Sequence, residues 1–154
     1  LPCKALGAEG GYACASKVII EYLKNKARSF IFATSQTPAT LAAALRAIEV
    51  LKEEPQRAQN LQHNVEFFLN ALHAEGVEAY SPTAIIPIII GDEKSALQVA
   101  DELLANGVLA PAIRYPTVAK GTARLRVALM ATHTEAELSQ TAKLIGAAIR
   151  KYKK

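Results

Sequence analysis

Ala123-Arg124-Leu125-Arg126-Val127-Ala128-Leu129-Met130 is the stretch whose reading settles the architecture. Leu125, Val127 and Leu129 recur at every second position, the period of a strand with one buried face. The same alternation puts Arg124 and Arg126 together on the opposite face. Just beyond, Thr134 and Glu137 form the S/T-x-x-E pattern of a helix start. The helix that follows is expected to bury Leu138, Thr141, Ile145, Ala148, Ile149 and Tyr152. It ends on Arg150, Lys151, Lys153 and Lys154, cations set against the negative end of the macrodipole. A one-sided strand followed by an amphipathic helix implies helices layered on a sheet.

Working toward the N-terminus, Val108 to Ile113 reads as extended. Gly91-Asp92 opens a helix with Leu97, Ala100, Leu103 and Leu104 inward, ending at Asn106-Gly107. Ile85 to Ile90 reads as a mostly buried strand in which Pro87, having no N–H, demands an edge or a bulge. Val77 to Tyr80 is expected to be another strand, with Ser81-Pro82 as a turn. Two helices precede these. One opens on Thr37-Pro38, an N-cap with proline at the first helical position. It carries Leu41, Ala44, Leu45, Ile48 and Leu51 and stops at Pro55; the other carries Leu61, Val65, Phe68, Leu69 and Leu72 and ends at Gly76. Residues 8–36 read as mixed: a short strand Tyr12 to Ala15, a helix from Ser16 with Val18, Ile19, Tyr22 and Leu23 on one face, and a second apolar piece, Phe30-Ile31-Phe32. From about residue 40 the expected order is helix, helix, strand, strand, helix, strand, strand, helix. The class is α/β, with helices covering one face of a small sheet.

At 154 residues the chain is long enough for about one domain. A hydrophobic fraction of 51% with 21% charged residues suits a folded domain, not a disordered one. The net charge of +4 is spread out, and the cluster Lys24, Lys26, Arg28 lacks interleaved aromatics, so no nucleic-acid partner is expected. The longest apolar run, Ala84 to Ile90, falls far short of the roughly 20 residues that span a bilayer, so no membrane partner is expected either. Cys3 and Cys14 allow at most one bridge, which suits a reducing compartment and a cytoplasmic location. His63, His73 and His133 lack the spacing of zinc ligands, so no metal is expected. The chain opens on Leu1-Pro2-Cys3-Lys4, and its only methionine is Met130, which reads as a piece of a longer protein.

Four features can carry chemistry. Lys4, beside the permissive Gly7 and Gly10-Gly11, is placed as an amine can be to bond a cofactor's aldehyde; a solvated terminal charge is the alternative. Arg124 and Arg126 offer guanidinium forks suited to a carboxylate, or are two solvated arginines on an exposed face. Arg114-Tyr115-Pro116-Thr117 joins a cation, an aromatic and a hydroxyl in one loop, suited to binding or to plain connection. Thr34 and Ser35, with Thr37, stand just ahead of a helix N-terminus, where anions are favoured, although capping alone accounts for Thr37.

Five strings occur in order: Lys4-Ala5-Leu6-Gly7 through Gly10-Gly11-Tyr12, Arg28-Ser29-Phe30-Ile31-Phe32, Ala112-Ile113-Arg114-Tyr115-Pro116-Thr117-Val118, Gly121-Thr122-Ala123-Arg124-Leu125-Arg126 and Ala131-Thr132-His133-Thr134. Together they resemble the α-oxoamine synthases, pyridoxal 5'-phosphate enzymes of the aspartate-aminotransferase fold, from Lys4 to the end of the chain. The resemblance implies that Lys4 bonds the cofactor and moves protons at the substrate's α-carbon. It implies that Arg126 holds the amino-acid carboxylate, that Thr117 contacts substrate and that Arg114 reads the acyl substrate's carboxyl end or the product. Thr34 and Ser35 would reach the cofactor phosphate of a neighbouring subunit, in a homodimer. The implied reaction joins an amino acid to an acyl-CoA with loss of CoA and carbon dioxide. L-Alanine with pimeloyl-CoA is the expected pair, and glycine with another acyl-CoA is the alternative. The family usually has a phosphate-contacting threonine three residues before the lysine, where this chain has Leu1. Residues 1–39 are then expected to be a remnant of the large cofactor-binding domain and 40–154 the C-terminal small domain, with the rest of the large domain as the missing partner and the isolated chain inactive. A different class of reading keeps the chain as a non-catalytic association module.

Overall fold

The computed structural model describes residues 6–152. The chain divides into two compact units, residues 1–55 and 56–154.

The described part of the first unit holds three helices: α1 (Lys17–Lys26), α2 (Arg28–Ile31) and α3 (Pro38–Glu53). Thr37 caps α3 as expected, its hydroxyl accepting from the Thr40 amide at 3.2 Å, with Pro38 in the first turn. Ser16 precedes α1 but makes no side-chain cap. The strand expected at Tyr12 to Ala15 is absent, and Phe30-Ile31 lies in a helical turn, because no paired strand exists there to satisfy an extended backbone. None of the three helices buries a residue. The apolar stripes read from the sequence exist, but Val18, Tyr22, Leu41 and Leu45 are exposed on them.

The second unit holds the core. It runs α4 (Gln56–Ala74), β1 (Ile85–Gly91), α5 (Glu93–Ala105), β2 (Ala112–Ile113), β3 (Ala123–Ala128) and α6 (Glu135–Tyr152). The sheet is antiparallel in the order β1-β3-β2, so β1 is an edge strand and can accept Pro87. No bulge falls at Pro87, which pairs in register with Arg126; the one register shift on this strand lies between Ile89 and Gly91. Burial alternates along β1, so it is one-sided and not mostly buried. Ile86, Ile88, Ile90, Ala123, Leu125 and Val127 face the helices and join Phe68, Leu72, Val99, Leu103 and Ile145 in one apolar cluster.

Local chemistry explains the boundaries. α4 ends in a Schellman arrangement: Gly76, at φ +75°, donates to the His73 carbonyl while Val77 donates to Leu72. α5 ends the same way at Gly107, with Val108 donating to Leu103. Asp92 caps α5 by accepting from the Ser95 amide at 2.8 Å. Thr134 and Glu137 form the reciprocal box at the start of α6.

Two expectations are corrected here. Val77 to Tyr80 forms no strand, because the Ser81 hydroxyl organises the connection instead, donating to Ile85 and accepting from the Thr83 amide. The buried stripe of α5 is Ala96, Val99 and Leu103, with Leu97 and Leu104 exposed. Ala96 is fully buried in the core, so the helix is turned from the phase that its leucines suggest. In α6, Leu138, Ala142, Ile145, Gly146 and Ala148 are buried, and Thr141, Ile149 and Tyr152 are half-buried.

Candidate functional site

The sheet has a covered face and an open one. On β3 the odd-numbered residues enter the core, while Arg124 is half-buried and Arg126 exposed on the other side. Register sets Arg124 beside Ile89 on one strand and Ile113 on the other, and sets Arg126 beside Pro87. Ile85 and Ile89 lie on the same face, each 46% exposed. The alternation read from the sequence therefore brings both arginines to one surface. The Arg126 amide donates to the Pro111 carbonyl at 2.9 Å, which fixes the backbone that carries the guanidinium.

Arg124 has a different tether: its Nε donates to the Thr122 carbonyl at 3.0 Å, the last link of the loop that leads into β3. That loop is ordered by its own backbone. The Thr117 and Val118 amides donate to the Arg114 carbonyl at 2.9 and 3.3 Å, and the Thr122 hydroxyl donates to Ala119 at 2.7 Å. The Lys120 ammonium lies 5.2 Å from the centre of the Tyr115 ring, and the Tyr115–Pro116 bond is cis. Arg114 and Thr117 are exposed on this loop, free of the core and next to the edge of β2. No ion pair involves Arg114, Arg124 or Arg126 among the described residues.

Arg126 also lines an open cleft of about 630 Å³, which it shares with Leu109, Met130, His133, Glu137 and Thr141. The turn at the edge of this cleft is held from within the unit. Asn64, a buried polar residue of α4, donates to the Met130 and His133 carbonyls at 3.0 and 2.9 Å. His133 Nδ1 accepts from the Met130 amide at 3.2 Å, which assigns the ring proton to Nε2 when the imidazole is neutral. Sequence reasoning passed over Asn64. Its only signal there is a polar side chain beside Val65 within an apolar stripe.

In the first unit, Thr34 and Ser35 are exposed just before the N-terminus of α3. The helix they precede is capped by Thr37, whose hydroxyl accepts from the Thr40 amide. Lys4 lies outside the described residues. Among the described residues no cluster of histidine, cysteine or acidic side chains could hold a metal ion, and no helix is long and apolar enough to cross a membrane.

A family model described as aminotransferase class I and II matches residues 3–145. The chain is 48% identical over 143 residues to 8-amino-7-oxononanoate synthase 1 of Bacillus subtilis, covering 92% of this chain and 36% of that protein. It spans little more than a third of the length of the Bacillus 8-amino-7-oxononanoate synthases it matches. A crystal structure of 8-amino-7-oxononanoate synthase from Francisella tularensis superposes with a TM-score of 0.82 at 29% identity, over 97% of this chain and 44% of that one. A serine palmitoyltransferase from S. paucimobilis, solved with a bound PLP–myriocin aldimine, superposes with a TM-score of 0.84 at 26% identity, over 96% of this chain and 38% of that one. With a family match running through both the lysine-bearing segment and the arginine-bearing strand, the chain belongs to the aminotransferase class I and II family.

Proposed function

We propose that this chain is part of a pyridoxal-phosphate acyltransferase, an 8-amino-7-oxononanoate synthase that condenses L-alanine with pimeloyl-CoA and releases CoA and carbon dioxide. The observation that carries this reading is a sheet face on which Arg126, exposed, has the uncharged Pro87 as its partner across the strands, in a chain 48% identical over 143 residues to a synthase of that name. Residues 1–39 are assigned to the cofactor-binding domain and 40–154 to the small domain.

Each role follows from the chemistry of the side chain. The Lys4 amine would hold the cofactor through its aldehyde, with loss of water, and would carry a proton to or from the α-carbon of the amino acid. The Thr34 and Ser35 hydroxyls, ahead of a helix N-terminus, hold the phosphate across a homodimer interface. Arg126 grips the amino-acid carboxylate with two parallel hydrogen bonds, which fixes the bond to be broken. Thr117 and Arg114, on the self-ordered loop, contact the acyl substrate. When bound, pyridoxal phosphate supplies the electron sink for charge that builds at the α-carbon. The enzyme works in the cytoplasm.

The test is made on the full enzyme that contains these residues. Its lysine-bound cofactor is expected to show a visible absorbance band, and Lys4→Ala to abolish it; a band that survives removes Lys4 from its role. Alanine with pimeloyl-CoA is expected to be turned over best, and a strict requirement for glycine overturns the assignment. Arg126→Ala is expected to weaken amino-acid capture by about 2–5 kcal/mol, the cost of leaving one partner of a desolvated charge pair alone. Unchanged amino-acid affinity would make Arg126 a structural residue. The 154 residues alone are expected to bind the cofactor weakly.

A further inference from the structure

Arg124 and Arg126 stand two residues apart on one face of β3, which separates their Cα atoms by roughly 7 Å. Elsewhere in the chain, Lys24, Arg46, Arg150 and Lys151 each meet a carboxylate. The two β3 arginines meet none among the described residues, and their register partners (Ile89 and Ile113 for Arg124, Pro87 for Arg126) are all uncharged. A half-buried guanidinium without a counter-ion needs a reason. Arg124 is moreover already oriented: the Thr122 carbonyl holds its Nε, so little side-chain freedom remains to be lost when the terminal nitrogens meet an anion.

The surface thus consists of two cations separated and flanked by aliphatic side chains, with Ile89 directly across from Arg124 and 46% exposed. Its complement is a methylene chain with a carboxylate at each end, or two reactants that together present one. We propose that Arg124 binds the free carboxylate at the far end of a dicarboxylic acyl substrate, while Arg126 holds the carboxylate of the amino acid. This deepens the acyl-transfer reading and rests on it. Because Arg124 also closes the loop that carries Arg114 and Thr117, occupancy of its fork steadies the segment that contacts the acyl chain.

The 154-residue chain suffices for the test, with heptanedioate and heptanoate as probes of equal length that differ by one carboxylate. Titration followed by nuclear magnetic resonance at the arginine Nε groups is expected to give roughly tenfold tighter binding of heptanedioate, the change expected from one added partly solvated ion pair. The Arg124 and Arg126 signals should move together. Arg124→Gln is expected to reduce heptanedioate to the affinity of heptanoate. Arg124→Lys should restore part of the difference, since the charge returns without the fork. Equal affinity for the two probes in the wild-type chain overturns the proposal, as does the absence of saturable binding of either. So does a preference that persists in Arg124→Gln with the backbone spectrum intact, which would give the far carboxylate to Arg114. A dicarboxylate preference at Arg124 in a protein whose Lys4 forms no adduct with pyridoxal phosphate supports the anion site and overturns the acyl-transfer reading instead.

Discussion

Asn64 sits in the apolar stripe of α4, yet it is only 5% exposed, because its amide bridges two carbonyls 66 and 69 residues further along the chain. Asn64→Ala removes both bonds at once and leaves the Met130 and His133 carbonyls short of donors. The expected cost is about 1–3 kcal/mol, read as a lower urea midpoint at unchanged slope. Gly146 tests packing from the other direction. A Cβ there would lie 2.9 Å from the Glu75 Cβ, where α6 passes the end of α4 and Arg150 donates to the Glu75 carbonyl. Helix propensity favours Gly146→Ala by about 1 kcal/mol, but the helices must part to admit the methyl. A net fall in melting temperature is expected; a rise would mean that Glu75 shifts freely. Neither residue announces these roles in the sequence. A polar residue in an apolar stripe and a glycine in a helix both read as local blemishes, because their partners are remote in the chain. Arg124 and Arg126 are the opposite case: strand period alone brings them to one face.

The starts of α5 and α6 depend on charge. The Glu137 carboxylate accepts from both the Thr134 amide and its hydroxyl, and these bonds hold its pKa below the ordinary 4.5. Asp92 is likewise held below its ordinary 3.8 by the Ser95 amide and hydroxyl. A carboxylate whose folded pKa is depressed contributes stability that is complete above its unfolded pKa and is lost as pH falls through the folded one. Stability of the second unit is therefore expected to decline from about pH 4.5 downward, measured by urea unfolding at a series of pH values. Glu137→Gln should flatten part of that decline, and an unaltered profile would show that the box contributes nothing. Both caps were legible because their chemistry is local and directional. The phase of α5 was not. Ala96, Val99 and Leu103 go inward and Leu97 and Leu104 stay exposed, a phase that leucine spacing does not report. Val77 to Tyr80 failed as a strand for a related reason, since propensity for extension does not supply a partner to pair with.

At the level of the whole chain the two units differ in what holds them. In residues 56–154 side chains from three helices and one sheet close around Phe68, Leu125 and Ile145, each with essentially no exposure. In residues 1–55 the helices bury nothing, and Val18, Phe30, Phe32 and Leu45 are each more than half exposed. Helices of 10 and 16 residues without a buried face are marginal in water, since most helical stability comes from packing. Amide exchange of the 154-residue chain is therefore expected to divide at the same place. Core amides of α4, β1, β3, α5 and α6 should exchange only through global unfolding, while those of α1 and α3 should exchange through local opening at far lower free energy. Their protection should be insensitive to Leu125→Ala, which costs the second unit about 2–5 kcal/mol by opening a cavity beneath the sheet. If α3 instead loses protection in step with the sheet, its stability derives from the second unit, and the exposed stripe of Leu41, Leu45, Ile48 and Leu51 is covered in solution. If protection of α1 and α3 rises with protein concentration, copies of the chain cover one another, as the large apolar area of the first unit favours.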